Sequence, residues 1–485
     1  MNLIKHGLAF SIGTLISRVL GYVRDATIAY FFGSSRVTDA FFIAFRIPNT
    51  LRRLLGEGGF NAAFIPIYAK VMKENREKGF LSSVFTYYTL ISLFVTLLGI
   101  AFAPWVVSII APGIKGRDYY ELTVFFTRWV FSYLFFIGLS SFFMGVLNVR
   151  GVFFIPAFAQ AVYNFAFSLI VATTTHMFGY VSLIVGTLVG GFLQLMVHLP
   201  YLFTKKVKLG VSFKLYEEEK ELLKRLGPAL LGFGVAQLSF FIDTFLASFL
   251  KVGSVSYLYY ANRIFQLPLG AVSVGMANSL LSALSLGEDK KSRTTLAVRF
   301  IVIISLPASL GMMLISEEIV SLLYGRGRFT PEDVHTTAKV LSAYSLGLLF
   351  FSLQKLLSAT FFAEGDTKTP VKSLTISILV EGLSASIYAF VLGMGVVGLA
   401  LGTSTSSLAG FVYLLGKRKR GYIEFREVIS SIYKSAVACG LMAAFLYVFH
   451  FHTLLRILTA ALVYFLTLLL LREDMLVSLL KKLWR

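Results

Sequence analysis

Apolar stretches of about 20 residues recur along the whole chain, separated by short polar segments. They begin near residues 7, 36, 82, 121, 153, 179, 227, 255, 295, 336, 371, 394, 427 and 452. A helix of about 20 apolar residues crosses a hydrocarbon core roughly 30 Å thick. The pattern predicts an all-α polytopic membrane protein with about fourteen transmembrane helices. The first two runs depart from it. The stretch "SRVLGYVRDATIAYFFGSSRVTDAFFIAFRIPNTLRRLLGEGGF" (Ser17 to Phe60) has the apolar content of two spans, yet it holds Arg18, Arg24, Asp25, Asp39, Arg46, Arg52, Arg53 and Glu57. A charge at the bilayer centre costs about 2.5–3.5 kcal/mol on insertion scales, so these groups must meet water or one another.

The pattern also repeats at an offset of about 215 residues. "VVSIIAPG" matches "IVSLLYGRG", "LNVRGVFFIPA" matches "FAEGDTKTPVK", and "AFRI" around Arg46 returns as "ANRI" around Arg263. Six helices per half is an even number, so the halves share one orientation, as in a parallel repeat about an axis along the membrane normal. The organisation expected is a six-helix lobe over 1–210, an amphipathic linker over 211–226, a second six-helix lobe over 227–421, and two extra helices with a basic tail over 422–485. Two such lobes flanking a central cavity are a common transporter layout.

Of the 485 residues 56% are hydrophobic and 14% charged, well below the roughly 25% charged of soluble domains. The formal charge of +20 is unevenly spread. "KVMKENREKG", "TKKVKLGVSFKLYEEEKELLKRLG", "GEDKKSR", "GDTKTPVK", "GKRKRGYIEFRE" and "LLKKLWR" fall on alternate loops, which the positive-inside rule places in the cytoplasm with both termini. The basic excess is therefore a topology signal, and nucleic-acid binding is not expected. The N-terminus reads as a retained helix rather than a signal peptide. A single cysteine, Cys439, excludes an intrachain disulfide and a CxxC metal site. No HExxH, P-loop or Cys/His cluster is present, and the six histidines fall mainly at helix ends, where an interfacial role is expected. A membrane glycosyltransferase or phosphatase would need an acid–base or metal constellation that the sequence does not display.

The charges fall in stripes. Asp39, Arg46, Arg53 and Glu57 are spaced by 7, 7 and 4, which puts them on one helix face. Arg36, Arg52 and Arg53 lie near helix ends, where an arginine can snorkel to the interface. Arg46 has Asp39 and Glu57 within reach. Arg18, Arg24 and Arg263 lie deeper. Arg24 can pair with Asp25, although adjacent helical positions point about 100° apart. Arg263 has no acid nearby in sequence until Glu288. A deep arginine without a partner is expected to meet an anion, and several together favour a diphosphate.

The opening stretch, extended to "NAAFIPIYAK", closely resembles the start of the bacterial MurJ (MviN) family. Similar stretches follow at "APGIKG", "GPALLGFGVAQ", "SVSYLYYANRIFQLPLG", "LLYGRGRFTPED" and "TFFAEGDTKTPVK". The family belongs to the multidrug/oligosaccharidyl-lipid/polysaccharide exporter superfamily. The resemblance implies a lipid II flippase of the cytoplasmic membrane, whose cargo is an undecaprenyl-diphosphate-linked disaccharide-pentapeptide. It also implies that Arg18, Arg24, Arg52 and Arg263 match cavity arginines; of these, Arg24 and Arg263 are expected to clasp the diphosphate, one from each half, and Arg18 and Arg52 to form an outer electrostatic ring. Asp39 matches an important acid, and Asp25, Arg46, Arg53 and Glu57 are expected in gating or orienting salt bridges. The two extra helices resemble the pair that holds the lipid tail.

Some relatives have a sodium site in the second half. Asp243 matches one of its acids and Thr403 offers an oxygen. Glu381, however, stands where an asparagine is usual, and Ala385 replaces a carboxylate. Gln266 likewise stands where some relatives carry an acid. Sodium or chloride coupling, proton coupling and a salt bridge from Asp243 or Glu381 to Lys355 all remain open, and no cofactor is required. The protein is expected to work as a monomer among membrane lipids. Another exporter of the superfamily is the nearest alternative, although a cation-drug exporter would favour acids over arginines in its cavity.

Overall fold

The computed structural model describes residues 2–52, 59–74, 76–235, 237–418, 421–449 and 452–483. The described chain is helical and divides into two compact units, Met1–Ser256 with Arg326–Phe329, and Tyr257–Gly325 with Thr330–Arg485. The first unit contains α1 (Asn2–Phe32), α2 (Arg36–Arg52), α3 (Gly59–Lys73), α4 (Glu77–Ala101), α5 (Ala103–Ile110), α6 (Tyr120–Val149), α7 (Phe154–Phe178), α8 (Val181–Met196), α9 (Leu199–Thr204), α10 (Glu217–Val235) and α11 (Leu238–Ala247). The second begins three residues inside α12 (Ser254–Pro268). It continues through a π-helical turn (Leu269–Ser273), α13 (Val274–Ser285), α14 (Lys290–Leu314), α15 (Ser316–Tyr324), α16 (Pro331–Leu346), α17 (Leu348–Phe362) and α18 (Lys368–Ser386). It ends with α19 (Gly395–Lys417), α20 (Phe425–Val448), α21 (Thr453–Leu470) and α22 (Asp474–Leu483). Packing therefore divides the chain at Ser256, beyond the residue-227 boundary read from the repeat. The reason is local: α10 packs on α3 and α4, and α11 packs on α5 and the turn Pro112–Ile114.

Among the described residues nine helices are long and apolar enough to cross a membrane, and α16 with α17, bent by 42°, makes ten if the pair is one span. The other expected spans fall on α1, α2, α10–α11 and α12–α13. These are the segments that carry Arg18, Arg24, Arg46, Asp243 and Arg263 or that are interrupted, so a count of fourteen rests on the charged helices. The bend between α16 and α17 lies at Gly347, where a Cβ would come within 2.8 Å of the Ser404 backbone. Ser404 Oγ donates to Ala343 O (2.6 Å) and Ser407 Oγ to Gly347 O (3.3 Å), so hydroxyls from α19 satisfy carbonyls beside the break.

Each unit has an aromatic or aliphatic core. In the first, Phe60, Phe64 and Tyr68 stack down one face of α3 at 5.1 and 5.3 Å and meet Phe142 of α6. In the second, Ile301, Leu356, Leu357 and Leu414 are fully buried. The extra helices α20 and α21 join α14 through Ala438, Met442, Tyr464 and Leu468, with Tyr464 Oη donating to Ile303 O at 2.8 Å.

The repeat survives as a clamp with its charges exchanged. In the first unit Arg150, before the positive-φ Gly151, pairs with Glu77 at the start of α4 (2.7 Å) and donates to Lys205 O after α9 (3.0 Å). At matching repeat positions in the second, Glu364, before the positive-φ Gly365, pairs with Lys290 at the start of α14 (3.2 Å) and Arg418 after α19 (2.6 Å). Glu77→Lys or Arg150→Glu alone is expected to lower the unfolding temperature, at a cost on the order of 1 kcal/mol. The double variant should recover most of the loss. Failure of the double variant to recover would show that the pair is incidental.

Candidate functional site

Arg24 and Asp25 are adjacent buried charges, 8% and 0% exposed, on α1. They are bonded to each other: Arg24 Nη2 and Nε both donate to Asp25 Oδ1, at 2.7 and 3.1 Å. The pair that the sequence leaves open for Arg24 is therefore made. Neighbouring Cβ atoms do point apart, but the arginine stem is long enough to bring its guanidinium back over the short aspartate. Arg24 Nη1 also reaches Asn164 Oδ1 on α7 (3.4 Å), and Tyr163 lies 6.0 Å beneath its Cζ. Asn164 Nδ2 in turn donates to Ser17 O at 3.0 Å. The helices can meet this closely because Gly13 has no side chain. A Cβ there would lie 3.0 Å from that of Ala157, whose carbonyl accepts from Ser17 Oγ at 2.8 Å. The one sign of Asn164 in the sequence is an amide inside the apolar run "AVYNFAFSLI".

Arg18, two turns earlier on α1, is exposed and makes no ion pair with a described residue. Arg46 is half-buried, its Nε donating to Thr244 Oγ1 of α11 at 2.9 Å. Arg52 folds back on Asn49, with Nη2 3.0 Å from Oδ1. Arg53 and Glu57 lie outside the described residues. In the second unit Arg263 is half-buried on α12, between Asn262 and Gln266 of its neighbouring turn, which hydrogen-bond each other.

Asp39 does not pair with Arg46. Its carboxylate, 1% exposed, accepts from Gly253 N (2.7 Å), Ser256 N (2.9 Å) and Ser256 Oγ (2.6 Å). These are N–H groups that the first turn of a helix leaves without partners, so Asp39 caps α12 from another helix. Gly253 turns the chain into that cap at φ +92°. The same neighbourhood is tied by Arg117, donating to Leu250 O (2.7 Å) and Phe249 O (3.1 Å), and by Gly113 N donating to Ser248 Oγ (3.0 Å). Arg328 N donates to Tyr30 O at 2.8 Å. Bonds from "APGIKGRDYY" and from Asp39 thus converge on residues 248–256.

Of the candidate sodium ligands, the structure brings together Glu381 and Thr403, whose hydroxyl donates to Oε1 at 3.1 Å. Both are buried between α18 and α19. Asp243 is buried on α11 and belongs to the first compact unit. Ala385 is fully buried, and a Cβ on Gly402 would lie 2.5 Å from it, so close helix packing fills the place of the missing carboxylate. Among the described residues no group of three His, Cys, Asp or Glu could hold a metal ion. Lys355 is exposed and forms no ion pair with a described residue, so a salt bridge to Glu381, one of the alternatives left open by the sequence, is not made. His198 departs from the interfacial expectation: it is fully buried, its Nδ1 donating to Gln194 O at 3.0 Å.

Long apolar helices that carry buried charge define a polytopic membrane protein. Consistent with that class, an inward-facing multidrug resistance MATE family transporter superposes with a TM-score of 0.70 over 86% of this chain and 96% of its own, at 17% identity, a likeness of fold alone. The family is more specific. A model described as Lipid II flippase MurJ matches residues 28–468. A probable lipid II flippase MurJ of Aquifex aeolicus (strain VF5) is 40% identical over 442 residues, covering 91% of this chain and 89% of the relative. The lipid II flippase MurJ of Burkholderia cenocepacia is 34% identical over 468 residues, 91% and 90% of the two chains. A solved structure titled lipid II flippase MurJ, inward closed conformation, has a TM-score of 0.86 at 28% identity, covering 97% of this chain and all of that one. The chain belongs to the MurJ family.

Proposed function

We propose that this multi-pass membrane protein is a transporter, not an enzyme, that flips lipid II from the inner to the outer leaflet of the bacterial cytoplasmic membrane. The observation that carries the reading is the family match, which runs through both halves and into the second extra helix. The chemistry is consistent with it. A diphosphate suits paired guanidinium groups, and a large polar head suits a wet cavity between repeated halves.

In this reading the halves alternate in access as a monomer, with both termini in the cytoplasm. Arg24 and Arg263 hold the diphosphate, and Asp25 and Asn164 orient Arg24. Arg18 and Arg52 draw the anion in. Asp39 and Arg46, with Arg53 and Glu57, act in gating; the Asp39 cap on α12 has to break before the weakly basic side opens. The groove of residues 422–485 keeps the prenyl tail in lipid. Reset draws on the membrane potential, about 2.3 kcal/mol per charge per 100 mV, and on a coupling ion. Glu381 and Thr403 supply two oxygens for sodium, with Asp243 the third candidate. In cells depleted of their own flippase this chain should restore exposure of lipid II on the outer face, more slowly when choline replaces sodium. No exposure in either medium would refute the transport reading, and equal rates would refute sodium coupling.

A further inference from the structure

One end of α4 carries hydroxyls where an apolar span should present hydrocarbon. Leu90, Ile91, Phe94, Leu97 and Leu98 form its exposed stripe, 40–61% exposed. Ser83 and Tyr87 continue that stripe toward the basic-loop end, at the same helical spacing. The chain between α9 and α10 crosses them in extended form. Ser83 Oγ donates to Lys214 O (2.7 Å) and Tyr87 Oη to Phe213 O (2.9 Å). Gly210 N donates to Ser82 Oγ (3.1 Å) and Ser212 N to Thr86 Oγ1 (3.0 Å). The hydroxyls of α4 and the backbone of the extended segment thus satisfy one another, as a low-dielectric setting requires.

Side chains alternate along extended chain, so odd and even positions lie on opposite faces. Odd positions from 211 on carry Val211, Phe213 and Leu215, which are 78%, 65% and 58% exposed, whereas Val207 and Leu209 before them pack against the core of the first unit. Even positions carry Lys208 and Lys214, and Lys206 stands in the turn before the extended run at φ +53°; all three are exposed. Residues 205–216 contain no acid. An apolar face continuous with the lipid-facing stripe of a spanning helix, backed by lysines, fits one surface: a bilayer leaflet whose headgroups carry negative charge.

We infer that residues 205–216 form a membrane-surface strap, in which Val211, Phe213 and Leu215 enter the leaflet and Lys206, Lys208 and Lys214 bind anionic phospholipid headgroups. The strap fixes the start of the connection between the halves to the membrane plane. This goes beyond lipid II transport and does not depend on it.

The test uses the full chain with Cys439→Ala and Phe213→Cys, labelled with bimane in nanodiscs of phosphatidylcholine, with or without phosphatidylglycerol. Leu215→Cys provides an independent second position. Nitroxide on the lipid acyl chain should quench the label while aqueous iodide leaves it unaffected. Phosphatidylglycerol should deepen the lipid quenching, and Lys206→Gln, Lys208→Gln and Lys214→Gln together should remove that increment. Quenching by iodide at both positions would overturn the inference, as would lipid quenching indifferent to phosphatidylglycerol.

Discussion

Arg24→Ala is expected to abolish lipid II translocation and to lower stability as well, whereas Arg24→Ala with Asp25→Asn should recover the stability and remain inactive. The carboxylate of Asp25 is fully buried, and Arg24 takes the same oxygen through two nitrogens. Removing one partner of a buried pair costs about 3–5 kcal/mol, because the other charge is left uncompensated. Asparagine removes that charge and keeps nearly the same shape. The double variant therefore separates two roles that a single alanine mixes: neutralising Asp25 and meeting the diphosphate. Thermal unfolding in detergent reads the first and translocation the second. A double variant that is both stable and fully active would show that Arg24 is needed only as the counter-ion of Asp25.

The second large effect is expected at Arg299, far from the charged opening in sequence. Its Nη2 pairs with Glu473 Oε1 and its Nη1 with Glu427 Oε2, both at 2.7 Å, and its Nε donates to Ser431 Oγ at 2.9 Å. Glu473 is fully buried, so the planar fork of one arginine ties α14 to α20 and to the end of α21. Arg456 makes a similar tie to Glu318 of α15 at 2.6 Å. Arg299→Ala should cost about 3–5 kcal/mol and expose the α21–α22 connection to protease. Arg299→Lys should recover only part of the loss, because a point charge cannot reach three acceptors in one plane. Unchanged stability and protease resistance in Arg299→Ala would mean that burial of α20 and α21 alone holds them.

The spans were legible because apolar length is a local property, and the family because many residues match in fixed order. The partners were not. Asn164 is 140 residues from Arg24 and the cap on α12 more than 200 from Asp39, distances that no helical period encodes. Periodicity leaves the Arg24–Asp25 pair open, because it gives the direction of a Cβ and not how far an arginine can turn back. Arg46 and Asp39 share a helix face, yet tertiary contacts gave them Thr244 and Ser256 instead. In the sequence the lysines of residues 205–216 are a topology signal. Their alternation with Val211, Phe213 and Leu215 acquired meaning only once the segment was seen to be extended.

The central claim is that one arginine from each repeat serves the same diphosphate. Its most direct test is translocation of lipid II in flippase-depleted cells carrying Arg263→Ala, beside the Arg24→Ala/Asp25→Asn variant and the unmodified chain, all at equal membrane abundance. The account predicts outer-face lipid II with the unmodified chain and none with either variant. Exposure at the unmodified rate in both variants would contradict it.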